Sequence, residues 1–260
     1  MASFARGWNI QIRVIKALLI RELSTRFGRE NIGFLWMMVE PLLFPSLVAL
    51  VWRFMRGPEE HGISIVAYIV SGYVPLTLFR HAVGRAAGVF TANASLMYHR
   101  QVRLLDFILV RFLIEMIGGM MAYLFIALLL MYFDLFPVPA DMGCLLGGWF
   151  LYCWFSLSLC LILAPLSEVS EAVEKLIPVT TYIMIPFSGT FNQVSWLTPN
   201  LREIVLWSPF VDAMELMRYG IFGNGVDPYY SIAVPVGMSL VCTLVGLIMC
   251  RQIRRRLVVE

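Results

Sequence analysis

Apolar residues in this chain come in long runs, separated by short clusters of charge, glycine and proline. The runs cover about 33–55, 63–84, 105–133, 143–166, 170–187 and 231–250. A helix needs about 20 apolar residues to cross a bilayer, so the pattern predicts six membrane-spanning helices. The fifth is the shortest and is ended by Pro186, Ser188 and Gly189. An even number of crossings places both termini on one side.

Residues 4–29 carry too much charge to cross. At helical spacing Trp8, Ile12, Ile15, Leu19 and Leu23 form one stripe, with Arg6, Arg13 and Arg21 on the other side. An apolar stripe backed by cations predicts an amphipathic helix lying in the membrane interface against anionic head groups.

The segment 188–230 is too long for a turn and too interrupted to span. Thr198-Pro199 and Ser208-Pro209 each read as an N-cap followed by proline in the first helical turn. They predict short helices over about 199–207 and 209–222, the second ending at Gly223. Asp212 falls in the second helix's first turn, where the helix dipole favours an anion. Glu215 and Arg218 are spaced for an i, i+3 pair. Helices this apolar, with Trp207 between them, are expected to re-enter the bilayer and be buried in protein.

Composition sharpens the class. Of 260 residues 60% are hydrophobic and 14% charged, against about 25% charge in soluble domains, so this is an all-α integral membrane protein. The placement of charge then orients it. Arg6, Arg13, Lys16, Arg21, Arg26 and Arg29 precede the first run; Arg80, Arg85, Arg100 and Arg103 surround the loop after the second; Arg251, Arg254, Arg255 and Arg256 follow the last. Opposite them stand only Arg53, Arg56, Arg202 and Arg218. By the positive-inside rule both termini are expected in the cytoplasm. The five cysteines lie in or beside apolar runs without metal-type spacing, and read as small core residues.

Three groups of residues stand out as candidate chemistry. In the cytoplasmic loop, Asn93 or Ser95 can cap a short helix, and Leu96, Met97 and Tyr98 stand beside His99, Arg100 and Arg103. Apolar residues interleaved with cations suit a knob set into a groove on a cytoplasmic partner. Glu40, Arg80, Arg111 and Glu115 fall at similar depth in the cytoplasmic third of the spans, with Asp106 at the entrance of the third span. Buried charge is costly there and needs partners, so the five are expected to form one cluster that pairs helices. The arginines could also guide an anionic head group. Arg80 and Arg111, with Trp36, Trp52, Arg53, Arg56 and Tyr73, are the candidate substrate-path residues. No phosphate loop, zinc-protease or nucleophile-elbow motif is present, and Lys16 and Lys175 are the sole lysines. Any nucleotide chemistry is expected on another chain.

The stretch Arg21 to Leu42, RELSTRFGRENIGFLWMMVEPL, resembles the N-terminal signature of type-2 ABC transporter permeases of the polysaccharide-export group. The likeness extends over essentially the whole chain and is greatest for capsular polysaccharide export. It implies a homodimeric permease, itself not an enzyme and binding no cofactor, joined to two copies of an ATPase subunit that holds ATP and magnesium. The substrate would be a lipid-linked polysaccharide moving from cytoplasm to periplasm across the bacterial inner membrane, among membrane lipids and without nucleic acid. A periplasmic co-polymerase-like protein and an outer-membrane exporter would continue the path. Residues 94–103 would be the ATPase-coupling helix, 5–28 a gate helix, and 190–222 the re-entrant periplasmic helices.

The expected organisation is one permease domain over 1–260. It comprises the interfacial helix at 4–29, spans one to five within 33–187, re-entrant helices within 188–230, span six at 231–250 and a cytoplasmic tail at 251–260. Permeases for O-antigen or teichoic acid are the nearest alternative. A proton-coupled transporter or channel built on the charge cluster is another. A membrane-embedded enzyme would need converging acids or a nucleophile with its base. Glu40, Asp106 and Glu115 are the sole deep carboxylates, and the arginines near them suit pairing instead.

Overall fold

The computed structural model describes residues 2–27, 33–60, 62–97 and 102–257. The described residues form ten α-helices and one minimal hairpin. In chain order α1 is Ala2–Phe27, α2 Gly33–Arg56, α3 Ile65–Ala86, α4 Ala94–Met97, α5 Leu104–Tyr132, α6 Met142–Val169, α7 Glu171–Ile183, α8 Pro199–Val205, α9 Pro209–Phe222 and α10 Ala233–Leu257. The hairpin pairs β1 (Glu59–Glu60) with β2 (Ile63–Ser64) and closes the connection from α2 to α3. The apolar runs thus become helices nearly residue for residue, because each backbone polar group in an apolar segment must be satisfied within it.

Four described helices are both long and apolar enough to cross a membrane: α3, α5, α6 and α10. The expected count of six is therefore not reproduced on those criteria. The 24 residues of α2 are ample in length, but its apolar described stretch is Leu43–Met55. The expected fifth span is the 13-residue α7, about 20 Å long at 1.5 Å per residue. A 3₁₀ turn over Pro186–Ser188 and the left-handed Gly189 end that segment, so it stops well short of an unbroken crossing.

The central helix is α3. Its apolar window is 83% buried, against 22% for α10. Leu76, Leu78, Phe79 and Val83 meet Phe107, Ile108 and Phe112 of α5 in the main core. Exposed apolar side chains crowd the outer faces of α2, α5 and α10, including Leu47, Leu50, Phe54, Leu128, Leu244 and Ile248. In hydrocarbon such a face costs nothing.

The most extensive packing joins α6 to α10 and α9. Backbone lies against backbone there. A Cβ built on Gly148 would sit 2.6 Å from both Ala213 O and Met217 N, and one on Gly220 would sit 2.3 Å from Leu145 N. At its far end α9 stops at Gly223, whose φ of +54 suits glycine.

Asp141 caps α6. Its Oδ1 accepts from Gly143 N at 2.7 Å and Cys144 N at 3.1 Å. These bonds, led by that from Cys144, hold the carboxyl below the usual aspartate range.

The interfacial helix does not sit as its stripe suggests. Val14, Ile15, Leu18 and Leu19 pack on the core, whereas Trp8 and Leu23 are 60% and 37% exposed. Of the expected stripe, Ile15 and Leu19 face the body, and Trp8 and Leu23 face outward. Contact begins where Gln11 donates to Asp106 at the start of α5. It ends where Arg26 meets Glu115, about 14 Å further along α5. The helix therefore runs obliquely down α5, with polar groups at both ends of its contact face and apolar ones between.

Candidate functional site

Two polar centres stand at opposite ends of this helical body. The first is where α1 meets α3 and α5. Glu115, 6% exposed, is the hub: Arg26 Nη1 lies 2.6 Å from Oε1, Arg85 Nε 3.1 Å from Oε1, and His81 Nδ1 3.7 Å from Oε2. Arg26 also reaches Glu22 at 3.1 Å. Arg111 Nε approaches Glu22 at 3.5 Å, while its Nη1 donates to the Arg85 carbonyl at 2.7 Å. Two carboxylates and three arginines thus form one network joining α1 to α3 and α5.

The sequence-level cluster was only partly right. Arg111 and Glu115 belong to it, one helical turn apart on α5. Asp106 does not: it caps α5 instead, its Oδ2 accepting from Arg103 N at 2.8 Å, with Gln11 donating to Oδ1. Arg80 turns toward α7, its guanidinium 4.1 Å from the Tyr182 ring. The Glu40 side chain lies outside the described residues. Glu22, Arg26, Arg85 and His81 were not anticipated. One signal for the first two was available, since they form an i, i+4 acid–base pair near the end of an otherwise basic helix.

The loop expected to dock on a partner lies beside this network. After a 3₁₀ turn over Thr91–Asn93 comes the four-residue helix α4, and Ser95 is exposed on it. Leu96 and Met97 reach back to the core. Tyr98, His99 and Arg100 lie outside the described residues; Arg103 is exposed. Asn93 does not cap the helix. Its Nδ2 donates to Val89 O at 2.8 Å, and its Oδ1 accepts from Arg21 Nη1 at 3.1 Å. That last bond joins the loop directly to α1.

The second centre surrounds α9. This helix starts deep in the protein: Phe210 lies against Phe155 of α6 and Phe79 of α3, ring centroids 4.7 and 4.6 Å apart. Phe155 and Phe79 are each roughly 20 Å along their helices from Asp141 and Ser64. At the other end of α9, Gly220 O accepts from Asp141 N at 2.9 Å. The segment therefore runs from the hairpin end into the body and returns to it; α9 is buried in protein as expected, whereas no residue of α8 is buried.

Its helices match the expected ranges, α8 ending two residues early. Pro199 and Pro209 occupy the first turns, but neither Thr198 nor Ser208 caps by its side chain. The Ser208 hydroxyl donates to Phe187 O at 2.8 Å instead, fixing the start of α9 to the preceding turn. Trp207 is 78% exposed.

Arg218 holds this centre together. Fully buried, it donates to Gly189 O at 2.7 Å and Thr190 O at 2.5 Å. Its guanidinium lies 3.9 Å from the Tyr68 ring, a cation–π contact. The expected pair with Glu215 is present at 4.0 Å. Glu215 Oε1 also accepts from Val194 N at 3.1 Å, and Asp212 Oδ1 from Ser231 N at 3.0 Å. So the three charged groups of α9 bind loop backbone on both sides of it. Gly72 lets this happen, since a Cβ there would meet Thr190 O at 2.6 Å.

Tyr73 stacks on Phe44 at 5.0 Å, Trp52 tilts toward Phe191 at 5.9 Å, and Arg53 is exposed. The side chains of Trp36 and Arg56 lie outside the described residues. Among the described residues no group of His, Cys, Asp and Glu is arranged to hold a metal.

Comparison with known protein families matches residues 13–222 to the ABC-2 type transporter family. Among individual proteins, the chain is 36% identical over 250 residues to the capsule polysaccharide export inner-membrane protein BexB of Haemophilus influenzae, covering 96% of this chain and 94% of BexB. It is 40% identical over 247 residues to the capsule polysaccharide export inner-membrane protein CtrC of Neisseria meningitidis serogroup B, covering 95% and 93%. The polysialic acid transport protein KpsM of Escherichia coli is 24% identical over 246 residues, covering 94% and 95%.

Proposed function

The chain belongs to the ABC-2 type transporter family, and we propose that it is the permease of an ATP-driven exporter of lipid-linked capsular polysaccharide. The observation that carries this reading is the end-to-end likeness to inner-membrane proteins of capsule export. In this reading two copies of the chain form the conduit in the cytoplasmic membrane, with both termini in the cytoplasm. Two copies of a separate subunit bind and hydrolyse ATP with magnesium. A periplasmic co-polymerase-like protein and an outer-membrane exporter carry the polymer onward. The permease makes and breaks no covalent bond. It converts motion of the ATPase into an opening beside α1.

The geometry supplies a route for that motion. The loop at 91–103 docks on the ATPase through Ser95, Arg103 and the residues between them, while Leu96 and Met97 brace it against the core. Asn93 within it holds Arg21 of α1, and Asp106 just beyond it holds Gln11. A push on the loop is therefore felt at two points of α1, whose far end is latched by Glu115. The substrate's anionic head group would enter between α1 and α5, where Arg26, Arg85 and Arg111 meet.

Reversing the charge at the exposed Arg103, or at Arg100, tests the docking role. Each glutamate variant is expected to lose most ATPase association in pull-downs and to reduce polymer at the cell surface several-fold. Arg103→Gln is the control for the fold, since the Arg103 guanidinium also attracts the Asp106 carboxylate, whose hydrogen bond comes from the residue 103 backbone N–H. Full export with unchanged association in both variants would remove the docking claim.

A further inference from the structure

A groove of about 400 Å³ runs along α6, between that helix, α9 and the segment before α10. Neither the Glu115 network nor the Arg218 centre uses it. Gly143 and Gly147 stand four residues apart, on one face of α6. A Cβ on Gly147 would meet only Leu216 Cδ2 of α9, at 3.9 Å, so the missing side chains open the groove. Phe150 and Ile232, both exposed, flank it. Further in lies Trp154, whose indole N–H already donates to Thr243 of α10 at 3.3 Å. Among the described residues, no buried polar side-chain atom of the lining lacks a partner. The lining therefore calls for an apolar occupant.

From Gly143 to Trp154 the helix rises about 16 Å, and α6 is one of the helices able to cross a membrane. The groove thus runs inward from the start of a span, the direction a hydrocarbon chain takes within a leaflet. Its volume decides between a chain and a helix. Glycines at this spacing can bring two membrane helices together. A helix of that length fills about 1,300 Å³, however, roughly three times the groove. A single acyl chain is one methylene wide.

The shallow end selects a head group. Asp141 borders it: a Cβ on Gly143 would sit 3.1 Å from Oδ1, and Cys144 Sγ lies 3.4 Å from Oδ2. Gly143 N and Cys144 N occupy Oδ1, whereas the weak thiol contact leaves Oδ2 open to a further donor. The carboxylate is exposed, and no ion pair to it is formed among the described residues. It attracts an ammonium and repels an anionic head group.

We propose that this groove is a phospholipid site, with one acyl chain along α6 from Gly143 to Trp154 and the ammonium of an ethanolamine head group on Asp141. The chain packs on Leu216 and so braces the returning helix α9 from the lipid side. This site does not depend on the export reading.

The test uses nanodiscs of phosphatidylethanolamine and phosphatidylglycerol in equal parts, with a trace of either lipid carrying a diazirine in its acyl chain. After irradiation, mass spectrometry maps the labelled residues. Label is expected at Phe150, Trp154 and Leu216. An exposed ion pair is weak, so the ethanolamine lipid should exceed the glycerol lipid there by about two- to five-fold. Gly147→Leu fills the groove and should cut that label at least five-fold, leaving label at Leu244 and Ile248 of α10 unchanged. Should Gly147→Leu fail to fold, Ile232→Trp at the exposed rim should act in the same direction. Asparagine caps a helix as well as aspartate, so Asp141→Asn should keep the melting temperature and bring the two lipids to parity. Equal labelling by both lipids in the parental protein, or a ratio untouched by Asp141→Asn, overturns the head-group assignment. Label indifferent to Gly147→Leu and Ile232→Trp overturns the site. Cross-links between two copies of the chain through this groove, in place of lipid, overturn it as well.

Discussion

Glu115→Ala should cost about 3 kcal/mol, near the lower bound for removing one member of a buried ion pair, and should release the end of α1 from the body. The substitution leaves Arg26, Arg85 and His81 facing one another where a carboxylate held them at 2.6, 3.1 and 3.7 Å. Arg26 still has Glu22, but that pair lies within α1 and cannot anchor the helix to α5. The lower bound applies because Arg85 is 41% exposed and can recover part of its solvation. Two readouts separate the effect from general unfolding: the melting temperature in detergent, and trypsin cleavage after Arg21 and Arg26. Cleavage should speed up at least several-fold in Glu115→Ala and return part of the way in Glu115→Asp. Parental melting and parental cleavage in Glu115→Ala would show that α1 is held by its apolar contacts alone.

The second large effect is expected at Gly220. A Cβ there would sit 2.3 Å from Leu145 N and 2.7 Å from Asp141 O. Those are backbone atoms at the capped start of α6, so no side chain can rotate out of the way. Gly220→Ala should therefore destabilise by at least about 3 kcal/mol, the upper part of the usual range for overpacking. Gly147→Ala is the matched control on the same helix pair, because its Cβ would meet only Leu216 Cδ2, at 3.9 Å. Folded yield by size-exclusion chromatography should collapse for Gly220→Ala and hold for Gly147→Ala. Equal yields would mean that the returning arm is not packed backbone to backbone on α6.

Both effects concern contacts between helices that are distant in sequence, which marks the boundary of what the chain made legible. The helices themselves were readable because their signals are local. Apolar runs give length, and Pro199, Pro209 and Gly223 give starts and a stop. The two short helices between the last long ones were readable too, as segments too interrupted to cross. Glu22 and Arg26 were not assigned to the cluster, because charge on an amphipathic helix reads as facing head groups. Here its contact face is polar where it meets Glu115 and apolar where it meets the core. The Ser208 hydroxyl, expected at a cap, instead secures Phe187 O. Arg218 was seen as one half of an i, i+3 pair, but its shorter contacts are carbonyls about 29 residues away in sequence. Nothing in its own neighbourhood points to them.

The short α7 carries a related lesson. Its apolar run and the Pro186, Ser188 and Gly189 that end it are legible in the sequence, whereas a helix of only 13 residues is not. The structure redirects the chain at Pro186–Ser188 into the re-entrant segment.

The account rests on this chain being half of a transport machine whose energy comes from another protein. Mild-detergent purification of the tagged chain from its native cell, with mass spectrometry of what accompanies it, tests that most directly. The account predicts a second copy of the chain and a stoichiometric subunit bearing a phosphate-binding loop. Repeated recovery of the intact, membrane-extracted protein with no nucleotide-binding partner would contradict it, and would turn attention to the Glu115 network as a proton path.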